Sequence, residues 1–198
     1  MNILITSDWH RGPEEALPPN LAQLIRHIRE KLDNGWKVVL AGDIFDALEY
    51  GWPAFNNDPL VGVIRGLIAG GAILLEGNHD SKSPYFPQLK NFFIDGIYIS
   101  HWDEFDLVWG WLPISRFPVP DCIRKWYRTP RKLKEGNLQD WHVSTAACEY
   151  RATQFAAKHG YKAIIGGHTH SGVVINREGL IVANSSDFVD SCRWLEYV

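Results

Sequence analysis

The sequence predicts an α/β domain. Three observations carry that expectation. Short apolar runs of strand type alternate with stretches of helical periodicity through the first half of the chain. Most of those runs end in a polar turn built from Gly, Asp, Asn or His. The length of 198 residues, 45% of them hydrophobic, supports one domain with a sizeable core and excludes a chain disordered throughout.

Residues 2–6 read as a buried strand running into a polar turn. Leu17, Leu21, Leu24, Ile25, Ile28 and Leu32 recur at helical spacing, and Asn34-Gly35 supplies a stop. Residues 37–41 form a second buried strand, 59–69 a helix and 72–75 a third strand. After Phe92 the texture shifts to short strands and loops, with a strand at 97–100. A helix follows over 142–159, with Ala146, Ala147, Tyr150, Phe155 and Ala156 available to pack. A strand at 162–165 and strand-rich stretches at 171–175, 180–183 and 193–198 complete a single domain spanning 1–198.

Net charge is −3, which excludes a generic polyanion binder. Three scattered cysteines, Cys122, Cys148 and Cys192, make no disulfide framework and fit a reducing compartment. The first residues lack a basic run and turn acidic at Asp8, unlike a signal peptide. The longest apolar stretch, 60–75, is broken by Arg65 and four glycines, whereas a membrane span needs roughly 20 mostly apolar residues. The expectation is a cytoplasmic protein, with peripheral membrane contact left open.

One segment stands apart. Residues 109–134 hold Arg116, Arg124, Lys125, Arg128, Arg131, Lys132 and Lys134 against the single acid Asp121, together with Trp109, Trp111, Phe117, Trp126 and Tyr127. This composition reads as a cap or insertion, bounded at about 104–140. Basic and aromatic side chains together suit anionic lipid, or nucleic acid, and equally a solvated basic helix. Arg124, Lys125 and Arg128 are its candidate substrate contacts.

The chemistry lies at the strand ends. They deliver Asp8-Trp9-His10, Gly42-Asp43 with Asp46, Gly77-Asn78-His79-Asp80, His101, and Gly167-His168-Thr169-His170. Ligands of α/β sheets bind beyond the carboxyl ends of the strands. Asp-x-His and His-x-His place two side chains on one side of an extended backbone. Carboxylates with imidazoles suit Mn²⁺, Zn²⁺ or Fe, and the lack of cysteine ligands argues against a structural zinc. Seven donors exceed one tetrahedral ion and suit two ions, which at about 3.5–4 Å apart clamp the attacking and leaving oxygens of a phosphoryl group. Each motif alone is an ordinary turn or cap. All five, in order and each at a strand end, point to a metal site.

These blocks resemble the calcineurin-like metallophosphoesterases, over Asp8 to His170. The resemblance implies a four-layer α-β-β-α sandwich of two mixed sheets. It implies one metal held by Asp8, His10, Asp43 and His170, and a second held by Asp43, Asn78, His101 and His168. Asp43 is then shared. His79 is implied as the catalytic residue acting on the phosphate or leaving group, with Asp80 orienting it. The implied cofactor is a pair of divalent ions, Mn²⁺ first, with Fe, Zn²⁺ or Ni²⁺ as alternatives. The substrate contains phosphate, no obligate protein partner is implied, and Arg11 is a candidate phosphate contact.

Within the superfamily the chain is most similar to the UDP-2,3-diacylglucosamine pyrophosphatase-like branch. Residues 42–46, the basic-aromatic segment and the tail 184–191 carry that likeness. His79 and Trp102 depart from it, replacing the usual Arg and Gly. A nuclease or cyclic-nucleotide phosphodiesterase is the alternative, and a non-catalytic scaffold a remote one. Asp46 reads as a support of the site or a helix N-terminus. Asp103 and Asp106 read as supports or as solvated loop.

Overall fold

The computed structural model describes residues 1–106, 138–185 and 192–198. In chain order its elements are β1 (Ile3–Thr6), α1 (Pro19–Asp33), β2 (Lys37–Leu40), α2 (Ala47–Tyr50), α3 (Pro59–Ala69) and β3 (Ile73–Leu74). They continue as β4 (Asn91–Ile94), β5 (Ile97–Ser100), α4 (Leu138–His159), β6 (Ala163–Gly166), β7 (Val174–Arg177), β8 (Leu180–Asn184) and β9 (Leu195–Tyr197).

Local chemistry sets the boundaries. α1 has proline in its first turn, buries Leu21, Leu24, Ile25 and Ile28, and is followed after its cap Asn34 by Gly35, whose φ is 76°. Asp58 caps α3 by accepting from Leu60 N–H at 2.8 Å, an interaction worth about 1 kcal/mol. Asp95-Gly96 joins β4 to β5 with φ of 48° and 83°, the two left-handed residues of a tight hairpin. Glu178-Gly179 does the same for β7 and β8.

Two mixed sheets result, in the orders β3-β2-β1-β9 and β4-β5-β6-β8-β7. β1, β2 and β3 are parallel, as are β5, β6 and β8, so their carboxyl ends leave each sheet on one edge. The period-two alternation of side chains sorts the core. Ile3, Ile5 and Val39 face Ile97, Ile99, Ala163 and Ile165 between the sheets. Leu4, Val38 and Leu40 turn outward onto Leu24, Ile28 and Ile64 of α1 and α3. Tyr98, Ile164 and Val182 turn outward onto Cys148, Ala152 and Ala156 of α4. This is the expected four-layer α-β-β-α sandwich.

Some boundaries differ from the sequence reading. The strand expected at 72–75 is two residues long; Leu75 still donates to Leu40 carbonyl at 2.8 Å and forms an isolated bridge with Leu89. The strand expected at 171–175 starts at Val174, after the turn that carries His170. α4 starts at Leu138, not at 142. Of the expected insertion, Asp103–Phe105 forms a 3-10 turn and Phe105 packs into the core under α4. The basic-aromatic stretch with Arg124, Lys125 and Arg128 lies outside the described residues. No helix among the described residues is long and apolar enough to cross a membrane.

Candidate metal centre

The loops after β1, β2, β3, β5 and β6 bring all seven expected donors into one cluster. Asp8, His10, Asp43, His168 and His170 have positive φ, between 43° and 69°. A left-handed residue other than glycine costs roughly 1–2 kcal/mol. Five of them at one site mean that the surrounding structure holds the donors in place against local preference. Glycines make room. A Cβ on Gly77 would run into the Asp43 carboxylate and amide, and one on Gly167 into Asp8 and Ser7.

The donors fall into two groups that meet at Asp43. In the first, His170 Nε2 lies 3.2 Å from Asp8 Oδ1 and 3.2 Å from His10 Nε2. His10 Nε2 is 3.7 Å from Asp8 Oδ1 and 3.8 Å from Asp43 Oδ2. In the second, Asn78 Oδ1 lies 3.1 Å from His101 Nε2 and 3.0 Å from His168 Nδ1. His101 Nε2 is also 3.1 Å from Asp43 Oδ2. The other oxygen of Asp43, Oδ1, accepts from His79 N–H at 2.8 Å. One oxygen of Asp43 is thus fixed by backbone and the other faces both groups.

Outer partners set which imidazole nitrogen points inward. His101 Nδ1 donates to Ala41 carbonyl at 2.9 Å, leaving the Nε2 lone pair on the cluster side. His168 Nε2 faces Asp106 Oδ2 at 3.1 Å, leaving Nδ1 on the cluster side. Those inward nitrogens confront the oxygens of Asn78 and Asp43, acceptor against acceptor. Between His101 and Asp43 only a proton or a cation relieves such an arrangement. The donor set, of carboxylate, amide oxygen and imidazole, therefore fits two hard-to-borderline divalent ions.

The electrostatics agree. Burial opposes a charged His10, but Asp8 and Asp43 outweigh it and hold the imidazole up at about 9. Burial likewise opposes charge on His101, and Asp43 again wins, well above the ordinary histidine value. Burial would raise the Asp8 and Asp43 carboxyls, yet the neighbouring imidazoles pull both below the usual range. The pocket selects positive charge, which metal ions supply as well as protons do.

One expectation needs correction. Asp80 does not orient His79. It is buried, and its carboxylate accepts from the amides of Asp43, Ile44, Phe45 and Gly77 at 3.2, 2.7, 3.2 and 2.9 Å. Burial and the negative charge of Asp43 push its carboxyl up to about 6. Asp80 thus clamps the β2 loop to the β3 loop. The partner of His79 is Asp46, whose Oδ1 lies 2.6 Å from His79 Nδ1. Arg11, the candidate contact for substrate phosphate, is engaged on its own loop. Its guanidinium lies against Glu14 and donates from Nη2 to Ala16 carbonyl at 2.7 Å, so it ties down the 11–16 loop.

The sequence reading missed Ser7, Asn184 and Ser185. Ser7 Oγ bonds the Asp8 carboxylate and lies 2.5 Å from Ser185 Oγ. Asn184 donates to Gly167 carbonyl and, at 3.0 Å, to Thr169 Oγ1, holding the loop that carries His168 and His170. The available signal was the polar end of the apolar run 180–183, a sixth strand end like the five others.

The family description "Calcineurin-like phosphoesterase" matches residues 1–172. No curated protein sequence matches the chain. Among solved structures, a dimetal phosphatase from Danio rerio aligns over 98% of this chain and 91% of its own, at 12% identity and a TM-score of 0.53. A predicted phosphoesterase from Streptococcus pneumoniae aligns over 100% and 83%, at 14% identity and a TM-score of 0.47. Vps29 from Entamoeba histolytica, complexed with zinc, aligns over 96% and 76%, at 14% identity and a TM-score of 0.48. The Danio rerio match shows a shared fold and nothing finer. With the family match running over residues 1–172, through β1 to β6 and all seven donors, the chain belongs to the calcineurin-like phosphoesterase family.

Proposed function

We propose that this protein is a two-metal hydrolase of phosphate ester or anhydride bonds. The observation that carries the reading is the position of Asp43 Oδ2, which faces His101 at 3.1 Å and His10 at 3.8 Å, one from each donor group. Asp8, His10 and His170 would hold one ion and Asn78, His101 and His168 the other, with Asp43 facing both groups. Two such ions supply an activated water at neutral pH and positive charge for both oxygens of an in-line displacement. The chain's own residues do the rest. Asp80 locks the loops that carry Asp43 and Asn78. Asp46 holds His79 through Nδ1 and leaves Nε2 to deliver a proton to the leaving oxygen. A complete donor set with His79 in place favours catalysis over a scaffold role.

The narrower part of the proposal concerns substrate. The likeness at 42–46 and the basic-aromatic stretch 109–134 favour a lipid-linked nucleotide-sugar pyrophosphate, with Mn²⁺ as the working ion. The test is hydrolysis of four substrates after chelator treatment and Mn²⁺ addition. Preference for the lipid-linked pyrophosphate supports the narrower reading. Preference for a DNA strand or a cyclic nucleotide replaces it with the phosphodiesterase alternative. Metal-dependent cleavage of an aryl phosphate alone leaves the general reading standing and removes the narrower one.

A further inference from the structure

We infer that Asp106 is a positioning residue for one half of the metal centre, acting through His168. The inference rests on the two-metal reading above. Asp106 Oδ2 lies 3.1 Å from His168 Nε2, and both side chains are largely buried. The opposite ring nitrogen, Nδ1, faces Asn78 Oδ1 at 3.0 Å. With Nε2–H committed to a carboxylate, the lone pair sits on Nδ1 and points into the donor group. A carboxylate on the far nitrogen also makes the near one a stronger donor.

The platform under Asp106 is bonded at several points. Trp102 is fully buried and left-handed, with φ of 80°, a conformation unusual for a bulky residue. It turns the chain directly after His101 into the 3-10 turn Asp103–Phe105. Phe105 packs beneath α4, and Arg151 of α4 donates to Phe105 carbonyl. Glu104 accepts from Ser100 Oγ at 2.6 Å. Asp106 N–H closes the turn on Asp103 carbonyl at 3.1 Å. One short segment therefore supplies His101 at its start and braces His168 at its end. The two rings sit edge to face with centroids 5.3 Å apart. The contact that Asp106 makes with the donor set runs through His168.

The consequence is selective. Loss of Asp106 weakens the ion held by Asn78, His101 and His168 and spares the ion held by Asp8, His10 and His170. Calorimetric titration of chelator-stripped protein with Mn²⁺ reads both sites without any substrate. In Asp106→Ala the Kd of one ion rises about 10- to 100-fold, the usual worth of a carboxylate behind a metal-bound imidazole. The Kd of the other ion and the melting temperature of the stripped protein stay at wild-type values. If Asp106→Ala melts early, Asp106→Asn keeps the side-chain volume and an oxygen, and the same selective rise, smaller in size, decides. Two ions with unchanged Kd in the variants overturn the inference alone. Equal weakening of both ions together with a lower melting temperature also overturns it, by making Asp106 a general support of the fold. Fewer than two ions in the wild type overturn the two-metal reading and this inference with it.

Discussion

Asp46 Oδ1 and His79 Nδ1 lie 2.6 Å apart, joining the loop after β2 to the loop after β3. The His79 backbone is fixed as well, donating to Asp43 Oδ1 and accepting from Leu48 N–H, both at 2.8 Å. The imidazole is thus set in register with Asp43, while Asp46 dictates which of its nitrogens faces outward.

His79→Ala should lower turnover by about 10²–10⁴, the usual contribution of a positioned acid or base, and leave two ions bound. Asp46→Asn should show a smaller fall, concentrated in kcat, with metal content unchanged. Metal counting beside steady-state kinetics checks both. Loss of an ion in His79→Ala would make His79 a ligand instead.

Gly77→Ala should destabilise the protein and disable the site together. The new Cβ meets the Asp43 carboxylate and amide, and neither moves freely because Asp80 and His79 hold them. Overpacking of this kind costs about 1–3 kcal/mol. Denaturant unfolding measures the loss, and metal titration should show weakened binding at both ions. Wild-type stability and metal binding would refute the clamp.

Metal uptake should release protons. His10 in the metal-free protein titrates at about 9, raised by Asp8 and Asp43 against its burial, so it is largely protonated at neutral pH. An imidazole must lose that proton to bind an ion. Apparent metal affinity should therefore rise as pH climbs from 7 towards about 9 and fall on acidification. Calorimetry in two buffers of different ionisation enthalpy gives the number of protons released. Zero release at pH 7 would contradict the electrostatics of the pocket.

Charge reversal at Arg124, Lys125 and Arg128 tests the basic-aromatic stretch. KM for a large lipid-linked substrate should rise, while cleavage of a small aryl phosphate stays near the wild-type rate, since that substrate needs only the metals. Equal loss on both substrates would assign the stretch to support of the fold.

Much of the centre was legible because strand ends are written locally. An apolar run, a glycine and a donor are contiguous in sequence, and parallel strands gather their carboxyl ends on one edge. The four-layer arrangement came through resemblance, since alternation along β1 shows burial on both faces without naming the partners. Asp80 misled because sequence adjacency to His79 says nothing about which way each side chain points. The true partner, Asp46, comes from another strand end, 33 residues earlier. Ser185 reaches Ser7 across 178 residues, a contact that no local pattern encodes. The contacts of Arg11 with Glu14 and Ala16 on its own loop were likewise not written in its position beside His10.

The central claim is that two ions share Asp43 and that hydrolysis requires both. The direct measurement is activity of chelator-stripped protein on an aryl phosphate against added equivalents of Mn²⁺, with Asp43→Asn run in parallel. The account predicts no activity in the stripped protein, full activity only as the second equivalent binds, and near abolition in Asp43→Asn. Full activity of the stripped protein, or of Asp43→Asn, would contradict it.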